Sequence, residues 1–174
     1  MDLSLEKLLF NLNTLAELGE EITSPKDFTR VVKSSLFMVM GSFFVSKGAI
    51  FQFDPDRKVF HPIASKGVGD VKGLSFTVDD LALREFAKHG KPVDVAGRDY
   101  PANLLGPARA GLEKIGARLI AWLVVKDEIL GMIAINEKYS GEAFTVYDNQ
   151  LLSVMAQHIA FSLHSHSLLM KLMN

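Results

Sequence analysis

Leu5, Leu8, Leu12, Leu15, Gly19 and Ile22 recur at alternating steps of three and four, a narrow helical stripe like a coiled-coil seam. Ser24-Pro25 punctuates its end. Ser24 suits an N-cap, Pro25 the first helical position and Asp27 the first turn, so a second helix follows. Phe28, Val31, Val32, Ser35, Leu36 and Val39 share one of its faces, and Gly41 is the expected stop. The period then changes to that of strands. Ala49 to Phe53 is short, β-branched and aromatic, and Asp54-Pro55-Asp56-Arg57 is a turn. Val59 to Ala64 returns as the second arm of a hairpin, with Pro62 marking an edge or a bulge. Gly67, Gly69 and Gly73 mark a loop, and Asp79 or Asp80 caps a short helix ending near His89-Gly90. Lys91 to Val95 reads as a short strand, Ala96 to Pro107 as polar and irregular, and Ala108 to Ile115 as helical. Arg118 to Val125 and Ile129 to Ile135 form the strongest strand pair, joined by Lys126-Asp127-Glu128 without the glycine or asparagine a tight turn prefers. Thr145 is the N-cap of a closing helix that reaches Leu172.

Hairpins flanked by helices, with no repeating βαβ unit, indicate an α+β fold built on an antiparallel sheet in a single domain. At 174 residues and 48% hydrophobic, the chain can bury a sizeable core and is not intrinsically disordered. Nineteen Lys and Arg against twenty Asp and Glu leave a net charge of −1, which argues against a nucleic-acid partner. Cysteine is absent, which removes disulfides, thiolate metal sites, iron–sulfur clusters and thiol nucleophiles. The longest apolar stretch, Leu36 to Val45, is about half of a bilayer span. Asp2, Glu6, Lys7, Glu17 and Glu20 would interrupt any secretory core. A cytoplasmic location is expected, whether the chain is whole or an excised piece of a larger protein.

Catalytic motifs are scarce. There is no G-x-S-x-G elbow and no P-loop. The loop from Gly67 to Gly73 misses the dinucleotide fingerprint by one residue and does not open a helix, so it reads as a glycine-rich hairpin loop. His164 and His166 point to nearly opposite sides of a helix, and His158 has no carboxylate neighbour, so these three suit a solvated or interfacial face. His61 is either a satisfied core histidine or a polar group in a ligand cavity. No catalytic residue and no metal site are assigned.

The segment Gly131-Met132-Ile133-Ala134-Ile135-Asn136-Glu137-Lys138, followed by Gly141, Phe144-Thr145, Asp148 and Ala156-Gln157-His158-Ile159-Ala160, resembles the end of a GAF domain. In that family a strand ends in Asn, a Gly-containing loop follows and Phe-Thr opens the closing helix. Lys47 to Asp54 resembles the first strand, Ala64-Ser65-Lys66-Gly67 the exit of the second and Gly90 to Val95 the third, so the similarity spans about residues 25 to 170. Cyclic-nucleotide-regulated members carry Asn-Lys and Phe-x-x-x-Asp-Glu here. In this chain Glu137 separates Asn136 from Lys138, and Asn149 stands in place of Glu, while Phe144 and Asp148 keep their spacing. Asn136, Lys138, Phe144 and Asp148 are read as a loop clamp rather than as ligand contacts. Trp122 falls where the family often has Pro, on one strand face with Ile120 and Val124, and its indole N–H wants a partner if buried.

The resemblance implies a GAF-like, profilin-like sheet of five or six strands. The first, second and last helices would pack on one face, with short helices and loops over a cavity on the other. Gln52, His61, Arg98, Asp99, Tyr100, Asn103 and Trp122 are the candidate ligand-binding residues of that cavity. A cyclic nucleotide or another small metabolite fits the family, and without cysteine a covalently linked bilin does not. Leu152, Met155, Ile159, Ser162, His166, Leu169 and Met173 extend a three-four seam, which with the first helix predicts a parallel homodimer. Residues 25–163 are the expected core, and 1–22 and 163–174 helical extensions used in dimerisation. The function this implies is that of a non-catalytic sensory or regulatory module of a bacterial-type signalling protein. It would pass a signal through its C-terminal helix to an output domain of diguanylate cyclase, histidine kinase or phosphatase type. The alternative is a ligand-free dimerisation scaffold whose cavity is filled by Phe51, Phe53, Phe76 and Trp122.

Overall fold

A computed structural model of the chain describes residues 3–20 and 25–173, and among these the side chains of 3–5, 8, 15, 16, 18–20, 25, 26 and 173 lie outside the description. The order is α1 (Leu3–Glu20), α2 (Pro25–Phe43), β1 (Gly48–Asp54), β2 (Val59–Lys66), α3 (Asp80–His89), β3 (Val93–Asp94), α4 (Ala108–Lys114), β4 (Leu119–Val125), β5 (Glu128–Ile135) and α5 (Val146–Met173). The strands form one antiparallel sheet in the order β2-β1-β5-β4-β3. The strongest predicted pair, β4 and β5, lies within it. Their turn places both Lys126 (φ 51°) and Asp127 (φ 65°) in the left-handed region, the conformation of a tight primed turn, although neither residue is glycine. Pro62 sits at a register shift on the edge strand β2, so edge and bulge both apply.

Strand alternation sorts the core into two layers. Ile50, Leu119, Ala121, Leu123, Ile133 and Ile135 face α2 and α5, which bury Val32, Leu36, Val39, Phe43, Leu152, Met155 and Ile159 against them. Ala49, Phe51, Phe60, Ile120, Trp122, Met132 and Ala134 face the other way, under α3, α4 and the connecting segments. Each fully buried side chain of this kind contributes about 1.5–3 kcal/mol.

The helix ends show which local signals operate. Asp79 caps α3, its Oδ1 accepting the Leu81 amide at 2.8 Å, and Gly90 closes the helix at φ 67°. Thr145 and Asp148 form a reciprocal capping box at the start of α5: the Thr145 amide donates to Asp148 Oδ2 at 2.7 Å, and the Asp148 amide to Thr145 Oγ1 at 3.1 Å. Ser24, the expected cap of α2, and Ile22 lie outside the described residues. Gly41 does not stop α2, which continues for two residues to dock Phe43 in the core. The stop is Phe44 at φ 54°, with the Phe44 amide donating to Gly41 O (3.4 Å) and the Val45 amide to Met40 O (3.1 Å). That pair of bonds is a Schellman motif with phenylalanine where glycine is usual.

The seam expected to join two copies is largely consumed inside one. Leu152, Met155, Ile159 and Ser162 are buried in the protein's own core, and His166 stacks on Phe28 of α2 with ring centroids 3.8 Å apart. The sheet needs that stripe, because α5 lies along β4 and α1 packs on α5 and α2 as a further layer. Leu169 is half-buried, and the Met173 side chain lies outside the description. Among the described side chains, the large hydrophobics that α5 leaves exposed are Val146, Tyr147, Val154, Phe161, Leu168 and Leu172. No helix among the described residues is long and apolar enough to cross a membrane.

Candidate functional site

The face of the sheet away from the long helices is built from aromatic rings. Phe51 and Phe76 lie 5.0 Å apart between centroids, Phe53 and Phe60 4.8 Å, and Phe60 and Phe76 5.7 Å. Trp122 stands 5.9 Å from Phe60 and stacks on Phe86 of α3 at 4.5 Å. These are attractive offset and tilted geometries that fill the layer between the sheet and its cover. Phe76 is carried there by a single antiparallel bridge to Phe60.

The cover is α3 together with the segment from Ala96 to Pro107 and α4. Tyr100 donates its hydroxyl to Glu85 Oε2 of α3 at 2.5 Å, and the Tyr100 ring meets His89 edge-on at 6.0 Å. That hydrogen bond to the Glu85 carboxylate is the main reason the Tyr100 phenol is pushed above its ordinary pKa. Arg109 of α4 reaches back to two carbonyls of the segment, donating through Nη1 to Val95 O and through Nη2 to Ala102 O at 2.7 Å. Side-chain bonds at its rim therefore hold this cover in place.

Trp122 Nε1 under this cover, and separately His89 Nδ1 at the end of α3, are buried nitrogens with no hydrogen-bond partner among the described residues. Trp122 is only 6% exposed, so water does not compensate its indole N–H.

The candidate ligand residues do not converge around one space. Trp122 is at the heart of the aromatic layer. Gln52 and His61 are cross-strand partners, but they alternate with Phe51 and Phe60 and so fall on the opposite face, the one carrying α2. The preceding phenylalanines take the inner positions, and the period of two sends these polar neighbours the other way. Arg98, Asp99, Tyr100 and Asn103 are exposed on the outside of the cover. Glu85, His89 and Arg109, which tie the cover down, carried no local pattern that singled them out.

Of the residues read as a loop clamp, Lys138, Phe144 and Asp148 meet, while Asn136 bonds the start of β1 instead. Lys138 Nζ lies 2.7 Å from Asp148 Oδ2, with the two side chains 15% and 19% exposed, and 5.6 Å from the centre of the Phe144 ring. Asn136 Oδ1 accepts the Lys47 amide at 3.0 Å and ties the end of β5 to the start of β1. Burial by itself would raise the Asp148 carboxyl, but hydrogen bonds from Lys138 and the Thr145 amide outweigh it and hold the pKa below its usual value. Because the folded value is the lower one, this stabilisation is complete above the unfolded carboxyl value of about 3.9 and is lost as the pH falls through the folded value. Asp148→Asn, which leaves Lys138 unpaired, is expected to cost about 2–3 kcal/mol at pH 7 and less at pH 3, as read by urea denaturation at both.

Arg118, just before β4, bridges Asp94 (2.9 Å) and Glu137 (3.4 Å) at the rim of a surface pocket of about 270 Å³. No cluster of three His, Asp or Glu side chains is placed to hold a metal ion among the described residues.

The GAF domain family model matches residues 27–164. Among solved structures the chain is similar to residues 122 to 287 of a methyl-accepting chemotaxis protein, at 16% identity, covering 89% of this chain and 98% of that one, with a TM-score of 0.65. It is similar to the GAF domain of an Acinetobacter phosphoenolpyruvate-protein phosphotransferase, at 13% identity, 92% and 96% coverage and a TM-score of 0.63. It is also similar to the phycocyanobilin-bound GAF domain of a cyanobacterial phytochrome, at 14% identity, 92% and 96% coverage and a TM-score of 0.68. At these identities the likeness is one of fold. No curated protein sequence matches the chain.

Proposed function

Because this chain belongs to the GAF domain family, whose members are in general sensory or regulatory, we propose that it is the ligand-responsive module of a signalling protein and does no chemistry itself. It binds a small molecule non-covalently under α3 and the 96–107 segment, and the change reaches an output domain through α5. The observation that carries this reading is the buried Trp122 Nε1, which has no hydrogen-bond partner among the described residues. A buried N–H without an acceptor costs about 1–3 kcal/mol, which a ligand oxygen or ring nitrogen would recover. The aromatic character of this face favours a flat ligand, such as the base of a cyclic nucleotide or a metabolite of similar shape, which would have to part the Phe86 and Trp122 rings now stacked 4.5 Å apart. With no cysteine in the chain, the attachment is reversible.

Binding would move the cover, whose polar ties run from Tyr100 to Glu85 and from Arg109 to the segment. Arg98, Asp99 and Asn103 come to the ligand only if the segment rearranges. The route to α5 is short, since Trp122 alternates along β4 with Ala121 and Leu123, which pack in the α5 layer. The output would be a diguanylate cyclase, histidine kinase or phosphatase domain in the same protein.

Native mass spectrometry after mild isolation tests the ligand. A small molecule that is retained by the folded chain and released on unfolding is expected, and the bare chain mass would contradict it.

The module acts as a homodimer. Val154, Phe161 and Leu168 recur at steps of seven on the exposed face of α5, the spacing of a coiled-coil position. Phe161→Glu is expected to convert a dimer into a monomer in light scattering without lowering monomer stability by more than about 0.5 kcal/mol. A dimer unaffected by the change would remove α5 from the interface. The second reading, a ligand-free dimerisation scaffold, is favoured by one observation: the rings of Phe51, Phe60, Phe76, Phe86 and Trp122 already fill the layer.

A further inference from the structure

The end of α2 breaks two helix rules at neighbouring positions. Gly41 occupies the last turn, where alanine would be the better helix former. A Cβ there would meet no atom within 4 Å, so packing does not require the glycine. Phe44 occupies the left-handed stop at φ 54°, where a Cβ is strained and glycine is not. The surroundings hold that conformation: the Tyr139 amide donates to Phe44 O at 2.9 Å, and Val45 bridges Lys138. Glycine would make the same backbone bonds. What phenylalanine adds is a ring left 60% exposed.

That ring has company. Phe37, on the same helix, is 40% exposed, and Tyr139, beyond β5, is 74% exposed. With Met40, Gly41 and Lys66 these three aromatics line a surface pocket of about 260 Å³, room for one large side chain. The charge around it has one sign. Lys7 Nζ lies 4.8 Å from the centre of the Phe44 ring, and Lys66 and Lys33 lie 4.6 and 5.8 Å from that of Phe37. No carboxylate lines the pocket, and none of the three lysines is in an ion pair among the described residues. An apolar recess thus lies between two cationic poles, on a chain whose net charge is −1.

Local choices that oppose stability and together shape one exposed recess are the mark of a functional site. We propose that the α2–β1 junction is a docking site for an acidic peptide segment of a partner protein. One aromatic or aliphatic side chain of that segment enters the recess, and carboxylates on either side of it meet Lys7 at one pole and Lys33 with Lys66 at the other. Two separated poles call for a ligand with charges on both sides of its apolar group, which an acidic segment supplies. The recess is concave and takes one side chain, the shape of a peptide pocket rather than of a surface that inserts into lipid. The site lies on the helical side of the sheet and does not depend on the face around Trp122.

The test uses the whole chain and a fluorescein-labelled pool of acetyl-Glu-Glu-Xaa-Glu-Glu-amide, with Xaa being Phe, Trp, Leu or Met, read by anisotropy. Saturable binding is expected, and it weakens as salt rises and as Glu is replaced by Gln in the peptide. Phe44→Gly and Lys66→Glu should each weaken it at least about tenfold. Phe44→Gly should also leave the melting temperature unchanged or raised, which separates lost binding from lost folding. Absence of saturable binding to millimolar peptide, equal binding of the Gln pool, or unchanged binding by Phe44→Gly would each overturn the proposal. Sedimentation of the chain with phosphatidylserine vesicles without peptide binding would overturn it in favour of a lipid surface.

Discussion

Gly131→Ala is expected to cost about 4 kcal/mol or more, enough to leave the chain largely unfolded. Gly131 lies in β5 between β1 and β4, paired with Gln52 on one side and Leu123 on the other. A Cβ added there would stand 2.1 Å from Phe51 O, 3.2 Å from its carbonyl carbon and 3.3 Å from Gln52 Cα. All three are backbone atoms of a strand whose side chains are locked into both core layers, so no rotamer change relieves the clash. β1 would have to part from β5, and the sheet would split at its centre. Urea denaturation followed by far-UV circular dichroism checks this. Gly41→Ala is the matched control, in open space on a helix, and should gain about 1 kcal/mol. Near-equal effects of the two changes would mean that β5 and β1 are not in this register.

Trp122 is the second position at which a large effect is expected, and there the chemical nature of the replacement decides the outcome. Trp122→Ala removes the ring that packs between Phe60 and Phe86, and should cost about 3–5 kcal/mol. Trp122→Phe keeps an aromatic ring in the stack and deletes the N–H that has no acceptor. The cavity left by the smaller ring costs stability, and removing the orphan donor returns about 1–3 kcal/mol, so the net change should fall within about 1 kcal/mol of zero. Equilibrium denaturation of both variants, stripped of any bound molecule, measures the difference. A Trp122→Phe protein as unstable as Trp122→Ala would mean that the indole N–H is satisfied in the folded chain.

Much of the fold was legible because its signals are local. The cap expected at Asp79 or Asp80, the stop near His89-Gly90, the start of α5 at Thr145 and the edge or bulge at Pro62 depend on a few adjacent residues, and the structure places them at Asp79, Gly90, Thr145 and Pro62. The two strands with the longest apolar runs pair as their pattern requires. Errors arose where distant parts of the chain decide. Gly41 looks like a stop, yet α2 runs on because Phe43 has a place in the core. The stripe from Leu152 to His166 looks like a dimer seam, yet one chain's own sheet and α2 use it. A three-four spacing marks a buried face and does not say against what.

The candidate site was less legible for the same reason. Which sheet face a strand residue takes depends on its neighbours' burial, so Gln52 and His61 followed Phe51 and Phe60 to the far side. The clamp of Lys138 and Asp148 was found because a family motif carries it. Glu85, His89 and Arg109 belong to no motif, and only their meeting with Tyr100, Val95 and Ala102 distinguishes them.

If the covered face around Trp122 answers to a bound molecule, one resonance reports it. Trp122 is the only tryptophan, so its indole N–H gives a single cross-peak in a ¹H–¹⁵N spectrum. The spectrum is recorded on mildly isolated chain and again after unfolding, removal of small molecules and refolding. A ligand acceptor on Nε1 shifts that proton to lower field in the first sample, and the peak returns toward the position of an unbonded indole in the second. Coincident peaks in two folded samples would contradict the claim and leave the aromatic layer as packing alone.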